Sequence, residues 1–248
     1  MFHPKTPKIK VISKDKASEE VIKELNQIFS GKTNVYIDYA NVLGWEDKLG
    51  WSIDIRRLKQ FLDSFDTINS INFYYGTLDG DTRSSNLIRN IQGHGYNLKT
   101  KPVKIMKLSL DVSSIPTNSP AILQNFISKS LLRKFNIETI EYLNNKIKEL
   151  NDQGIKYVEV RKCNFDVEIG RDILVDSSQN EVESFVIWSG DSDFSDPVIQ
   201  LSKESKNVTV FATARRISRE LSQTEARIFD IQKIREFICW PRDAKRTP

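Results

Sequence analysis

The sequence predicts an α/β fold in three layers: a mostly parallel sheet of about five strands with helices on both faces, plus an inserted helical hairpin. Three observations predict it. Apolar residues alternate along the chain between short strand-like runs and helical periodicity. The 248 residues, 39% of them hydrophobic, can bury a core large enough for one α/β domain or one domain with an appendage. One stretch, 107–155, departs from the rhythm on either side of it.

Taken in order, NVYIDYANV (34–42) reads as a short buried strand ending near Asp38. IDIRRLKQFLDSF (53–65) reads as a helix with Ile55, Leu58, Phe61, Leu62 and Phe65 on one face. SINFYYGTL (70–78) is a second strand, residues 81–93 are helical, and YNLKTKPVKIM (96–106) is a third strand interrupted by Pro102. FVIW (185–188) and NVTVFA (207–212) supply the fourth and fifth. Asp196 is placed to cap a helix with Pro197 at its first position, and residues 215–224 and 226–238 have helical spacing.

The 107–155 block opens with SLDVSSIPTNSP and continues as two helical patterns. The first is Ile122, Leu123, Phe126, Ile127 and Leu131; the second is Ile137, Ile140, Leu143, Ile147 and Leu150. Two such helices cannot bury both apolar faces alone, so one face is expected to pack on the domain, on a second copy, or on a partner protein. Residues 1–30 form an N-terminal extension to a domain spanning 31–240. Both ends, 1–16 and 241–248, have the lysine, arginine and proline content of loose tails.

Composition excludes several chemistries. A net charge of +4 is compatible with a polyanionic partner without demanding one. Cys163 and Cys239 are too few for a disulfide framework or a four-thiolate zinc site, and His3 and His94 cannot build a histidine-rich metal centre. A Ser-His-Asp or Cys-His arrangement is disfavoured for the same reason. Any metal would therefore be held by oxygen. No apolar run approaches a membrane span and the first 30 residues are lysine-rich, so a reducing cytoplasm is the expected compartment.

The acids carry the chemistry. In parallel α/β sheets, ligands collect at the carboxyl ends of the strands, where strand order reverses. Asp38 follows one apolar run, and Ser189-Gly190-Asp191-Ser192-Asp193 follows another. If those strands are neighbours, three carboxylates converge and their repulsion calls for a hard cation such as Mg²⁺ or Mn²⁺. KCNFDVEIGRDIL (162–174) adds Asp166 at the start of a helix whose Ile169, Ile173 and Leu174 would face the sheet. Asp172 lies about 120° around that helix, at ~100° per residue, and is the weaker ligand.

Plainer readings stand beside these. An Asp after a strand ordinarily caps a helix or forms a turn; with Asp196 available as a cap, Asp191 and Asp193 are left over. Asn41 can form a turn, as can His94 between two glycines. Trp45, Trp51 and Trp188 read as packing residues, and Arg215, Arg216 and Arg219 as either a solvated helix start or a phosphate clamp.

Together, VYIDYAN, KCNFDVEIGRDIL, VIWSGDSDF and NVTVFATARRISREL resemble the NYN domain family of PIN-like ribonucleases, within the FEN/PIN superfamily, in order and spacing over most of residues 33–232 apart from 107–155. Arg227 stands where that pattern has an acid. The resemblance implies a PIN-like, Rossmann-like fold and a Mg²⁺- or Mn²⁺-dependent endoribonuclease. It makes Asp38, Asp166, Asp191 and Asp193 the catalytic and metal-holding residues, with Asn41 as a supporting polar group; Ser189 in the same loop and Asp172 on the same helix are further supporting candidates. The partner it implies is RNA. Lys162, Arg215 and Arg216 are expected to bind its backbone, aided by Lys99, Lys101, Lys104 and Arg161, through salt-sensitive, sequence-blind contacts. The alternative is a catalytically weak or inactive PIN-like module that binds RNA or protein. A haloacid-dehalogenase-type phosphohydrolase fits poorly, because Asp38 is followed by Tyr39-Ala40-Asn41 rather than a DxDx(T/V) loop. A DxD glycosyltransferase would need a larger chain.

Overall fold

A computed structural model describes residues 1–179, 181–213 and 217–240, the side chains of 47–49 apart. In chain order the elements are α1 (Pro7–Ile12), α2 (Lys16–Ile28), β1 (Thr33–Asp38), α3 (Tyr39–Leu49), α4 (Ile55–Leu62), β2 (Ile68–Thr77), α5 (Thr82–Gly93) and β3 (Asn97–Pro102). Then follow β4 (Lys104–Ser109), α6 (Lys129–Leu132), α7 (Ile137–Asp152), β5 (Tyr157–Lys162) and α8 (Asp166–Ser178). The last are β6 (Ser184–Trp188), α9 (Ser195–Lys203), β7 (Asn207–Ala212), α10 (Arg219–Ser222), β8 (Arg227–Asp230) and α11 (Arg235–Ile238). The chain divides into two compact units, one of residues 1–102 with 164 onward, the other of residues 103–163.

The first unit is the predicted α/β fold, with a fully parallel sheet in the order β3-β2-β1-β6-β7-β8. The chain builds β1, β2 and β3 outward to one side, then returns to lay β6 on the free edge of β1. Strand order therefore reverses between β1 and β6, the position at which parallel sheets open a crevice. Their register pairs Ile37 with Trp188, which leaves Asp38 and Ser189 one step beyond, side by side. Both strands are buried throughout, as continuous apolar runs require.

The sheet has six strands rather than five. Residues 227–230, read from the sequence as part of a helix, form β8 against β7. The deciding contact is long-range: Phe229 is fully buried and stacks on Phe211 at 4.6 Å, while Ile228 beside it is exposed. Helical structure resumes directly after β8, as a 3₁₀ turn at Ile231–Ile234 and then α11. The run 96–106 is likewise not one strand. β3 ends at Pro102, which has no N–H to continue the ladder, and β4 pairs antiparallel with β5 in a separate sheet.

The N-terminus is packed rather than loose. Phe2 bridges to Phe65 and its ring lies 5.0 Å from that of Phe65, while Ile9 of α1 is buried. Asp15 caps α2 by accepting from the amides of Ala17 and Ser18, and Ile22, Leu25 and Ile28 point inward. Apolar residues this sparse among lysines still form a core face when they fall on one side of a helix. Residues 241–248 lie outside the described residues.

The second unit has a small core of Leu123, Leu132 and Ile140, with Ile127, Phe135, Leu143 and Ile147 packed on it. Only the second of its two predicted helices is long: α7 starts at an Asn136 cap. The first pattern breaks into a 3₁₀ turn, Leu123–Asn125, and the four-residue α6, with Phe126 and Leu131 exposed. Asn144, buried on α7, donates from Nδ2 to the carbonyls of Thr117 and Ser119 and so ties down the preceding loop. Among the described residues no helix is long and apolar enough to cross a membrane.

Candidate active site at the strand-order reversal

Asp38 ends β1 and caps α3, its Oδ1 accepting from the Asn41 amide at 3.4 Å. The helix-cap reading and the ligand reading thus fall on one residue, since capping occupies a single oxygen. The other, Oδ2, accepts from the Ser189 hydroxyl at 3.2 Å. Ser189 is fully buried, and its Oγ in turn accepts from the Asp191 amide at 3.3 Å. Asn41 closes the link from the other side, its Oδ1 accepting from the Gly190 amide at 3.3 Å. Two side chains thereby clamp the loop after β6 onto the end of β1.

Asp191 was expected to be spare because Asp196 supplied a cap. The structure reverses this: Asp191 caps the 3₁₀ turn Ser192–Phe194, its Oδ1 accepting from the Asp193 amide and the Ser192 hydroxyl. Asp196 instead lies within the first turn of α9, which starts at Ser195 without a side-chain cap. The turn seats Phe194 in the core and leaves Asp193 exposed.

Asp166 is the first residue of α8, and Asn164 Oδ1 accepts its amide at 2.9 Å. Ile169 and Ile173 are fully buried on the sheet side, but Leu174, expected beside them, is exposed. Two buried tyrosines hold the helix: Tyr74 on β2 donates to Asp172 Oδ2 at 2.8 Å, and Tyr36 on β1 donates to Asp176 Oδ2 at 2.6 Å. No local pattern signals this pairing, because the tyrosines lie far from α8 along the chain.

The four acids share one electrostatic environment. Burial pushes the Asp38 carboxyl up to about 6; the Asn41 amide and the Ser189 hydroxyl oppose that rise and the Asp191 charge adds to it. Asp166 is pushed up to about 7, first by burial, then by the neighbouring Asp193 carboxyl, with the Asp191 and Asp38 charges behind it and Asn164 opposing. Asp166 Oδ2 is buried with no donor. As the side chains stand, no three Asp, Glu, His or Cys groups among the described residues converge tightly enough to hold one metal ion. The tight, metal-sized cluster expected of Asp38, Asp166, Asp191 and Asp193 is thus not formed in this arrangement, in which Asp38 and Asp191 accept from local amides and hydroxyls instead.

Asp172 has a different role from the other candidates. Burial raises its carboxyl, but Lys99 at 2.6 Å, Tyr74 and Arg171 at 3.0 Å outweigh that and hold it below its ordinary value. Lys101 pairs with Glu168 at 2.6 Å and lies over the Phe165 ring. Lys99 and Lys101, expected to face RNA, are thus engaged with the acids of α8. Lys104, Arg161 and Lys162 are exposed on the β4–β5 ribbon, and Arg215 and Arg216 lie outside the described residues. Trp45, Trp51 and Trp188 are buried packing residues, as expected, and His94 ends α5 in a turn.

A Synechococcus elongatus protein, Low amplitude and bright protein LabA, is 24% identical over 205 residues, covering 82% of this chain and 86% of its own. A crystal structure of a Vibrio parahaemolyticus protein of unknown function superposes with a TM-score of 0.51 at 16% identity, over 84% of this chain and 96% of that one. That likeness shows the fold. The family model matched by this chain, the NYN domain, covers residues 117–232. It contains Asp166, Asp191 and Asp193, stops short of Asp38, and takes in residues 117–155, which the sequence motifs had set outside the shared pattern. The resemblance first carried by KCNFDVEIGRDIL and VIWSGDSDF is therefore that of the NYN domain family, matched here over residues 117–232.

Proposed function

We propose that this chain is a divalent-cation-dependent endoribonuclease that hydrolyses RNA phosphodiester bonds, with Asp38, Asp166, Asp191 and Asp193 as its catalytic and cation-holding residues. Residues 117–232 match the NYN domain, and NYN domains are generally nucleases. The observation that carries the proposal is the coupling of acids from three chain segments at the reversal between β1 and β6. Two of them, Asp38 and Asp166, are raised to about 6 and about 7.

The donor chemistry fits Mg²⁺ or Mn²⁺: the acids supply hard oxygens, and Asp166 Oδ2 is a buried oxygen with no donor to satisfy it. Asp38, Asp166, Asp191 and Asp193 would hold the cation, which would supply neutralisation of phosphate charge and stabilisation of the leaving oxygen. The chain's own residues do the remainder. Ser189 and Asn41 fix the direction of Asp38, and the 3₁₀ turn presents Asp191 and Asp193 from one rigid loop.

One observation favours a second reading, an NYN module that binds without turnover: the acids do not converge in threes as they stand. Incubating the pure protein with single-stranded and structured RNAs in Mg²⁺, Mn²⁺ or EDTA separates the two. Cleavage that needs the cation and disappears in Asp191→Asn supports the nuclease. Intact RNA with every cation, in a protein that still binds it, supports the module.

A further inference from the structure

The β4–β5 ribbon has no role in the site described above. Its register sets Lys104 opposite Lys162 and Met106 opposite Val160 on one face. The other face carries Ile105 opposite Arg161 and Lys107 opposite Glu159. Residues 104–107 and 159–162 are all exposed, so the ribbon lies open on both faces. Its apolar residues keep much of their surface in solvent: Ile105 is 53% exposed, Met106 44% and Val160 39%. The core of the same unit is built elsewhere, on Leu123, Leu132 and Ile140.

The charge is one-sided. Four cations, Lys104, Lys107, Arg161 and Lys162, face a single acid, Glu159, in these eight positions. Like charges directly opposite on a ribbon destabilise it, and Lys104 with Lys162 is such a pair. Other lysines of this unit are neutralised, Lys156 by Asp111 and Lys146 by Glu149. Among the described residues neither Lys104 nor Lys162 has a carboxylate partner. Lys162 also precedes Asp166 by only four positions in the chain.

We propose that this ribbon is a docking surface for single-stranded RNA, the lysine pair engaging phosphate and the exposed Met106 and Val160 lying against unpaired bases. The inference rests on the reading of RNA as the partner. Charge complementarity selects a polyanion. The apolar side chains set between the cations select one whose bases are open, because a duplex offers a ribbon phosphates and sugars while its base faces are stacked away.

The test is binding by the whole wild-type chain in EDTA, read by anisotropy of a labelled unstructured oligouridine and of a labelled RNA duplex. It does not depend on cleavage. Lys104→Glu with Lys162→Glu should weaken oligouridine binding at least tenfold and flatten the log–log salt slope by about 1.4, two phosphate contacts at about 0.7 each. Met106→Ser with Val160→Ser should weaken oligouridine binding several-fold and leave duplex binding unchanged. Should the charge reversals unfold the chain, Lys104→Gln and Lys162→Gln singly should each weaken binding and lower the slope by about 0.7. Unchanged oligouridine affinity in folded variants would overturn the proposal, as would tighter binding of duplex than of oligouridine. Absence of cleavage in Mg²⁺ with ribbon-dependent binding intact would sink the nuclease reading alone.

Discussion

Tyr74 and Asp172 meet in the interior, the tyrosine hydroxyl donating to Oδ2 at 2.8 Å across 98 residues of chain. Tyr36 and Asp176 repeat the contact at 2.6 Å. Tyr36 pairs in register with Asn72, so it shares a sheet face with Tyr74, and positions 172 and 176 share a helix face. The two bonds therefore fix both the rotation and the height of α8 on the sheet. That placement sets where its first residue, Asp166, stands relative to the loop after β6.

Removing one of these hydroxyls should be felt in stability and at the site. Tyr74→Phe removes a bond to a charged acceptor and should cost about 2 kcal/mol by urea denaturation. Cleavage should fall with it while RNA binding in EDTA is retained. Unchanged stability would mean that Lys99 and Arg171 alone hold Asp172.

Asp38→Asn should stabilise the protein at high pH. The folded carboxyl titrates near 6, above its ordinary 3.8, so its protonated form is the one that suits the fold. Stability is complete below about pH 4 and declines as pH rises to about 6, where the carboxylate must be held buried. Asparagine keeps the cap on α3. In EDTA at pH 8 the variant should exceed wild type by on the order of 2 kcal/mol, with the gap closing by pH 4. Cleavage should be lost. Equal stability at both pH values would place Asp38 in a better-solvated setting than its burial indicates.

Ser189→Ala breaks the hydroxyl that joins Asp38 to the Asp191 amide. Losing it should cost about 1 kcal/mol and push the Asp38 carboxyl above about 6, since the hydroxyl lowers it. Titrating the aspartate carboxyl carbons by NMR reads this directly. A pKa that moves down would contradict the bond.

Replacing residues 110–156 with a short Gly-rich turn should leave the first unit folded. Ser109 and Tyr157 face each other at the end of the ribbon, so a tight turn can close it without moving β3 or α8. A cooperative melt with retained cation-dependent cleavage of a generic RNA is expected. An unfolded product would mean that the first unit depends on the second.

Much of this was legible in local pattern. The buried runs ending at Asp38 and Ser189 announce strands, because a strand covered on both faces must be apolar along its length. An acid loop directly after such strands marks the crevice of a parallel sheet, and SGDSDF with Asp166 pointed to the NYN family. What the sequence could not hold was any property that belongs to a pair. Residues 227–230 became a strand because Phe229 found Phe211, and the half-buried Phe2 is held because Phe61 and Phe65 were there to receive its ring. Asp191 and Asp196 look alike as turn acids, and only the path of the loop decided which one caps. Asp172 and Asp166 lie on one helix, yet Lys99, Arg171 and Tyr74 hold the first low while burial and Asp193 drive the second high. Local sequence sets periodicity and turn chemistry, whereas pairing, burial and charge depend on residues brought near by the fold itself.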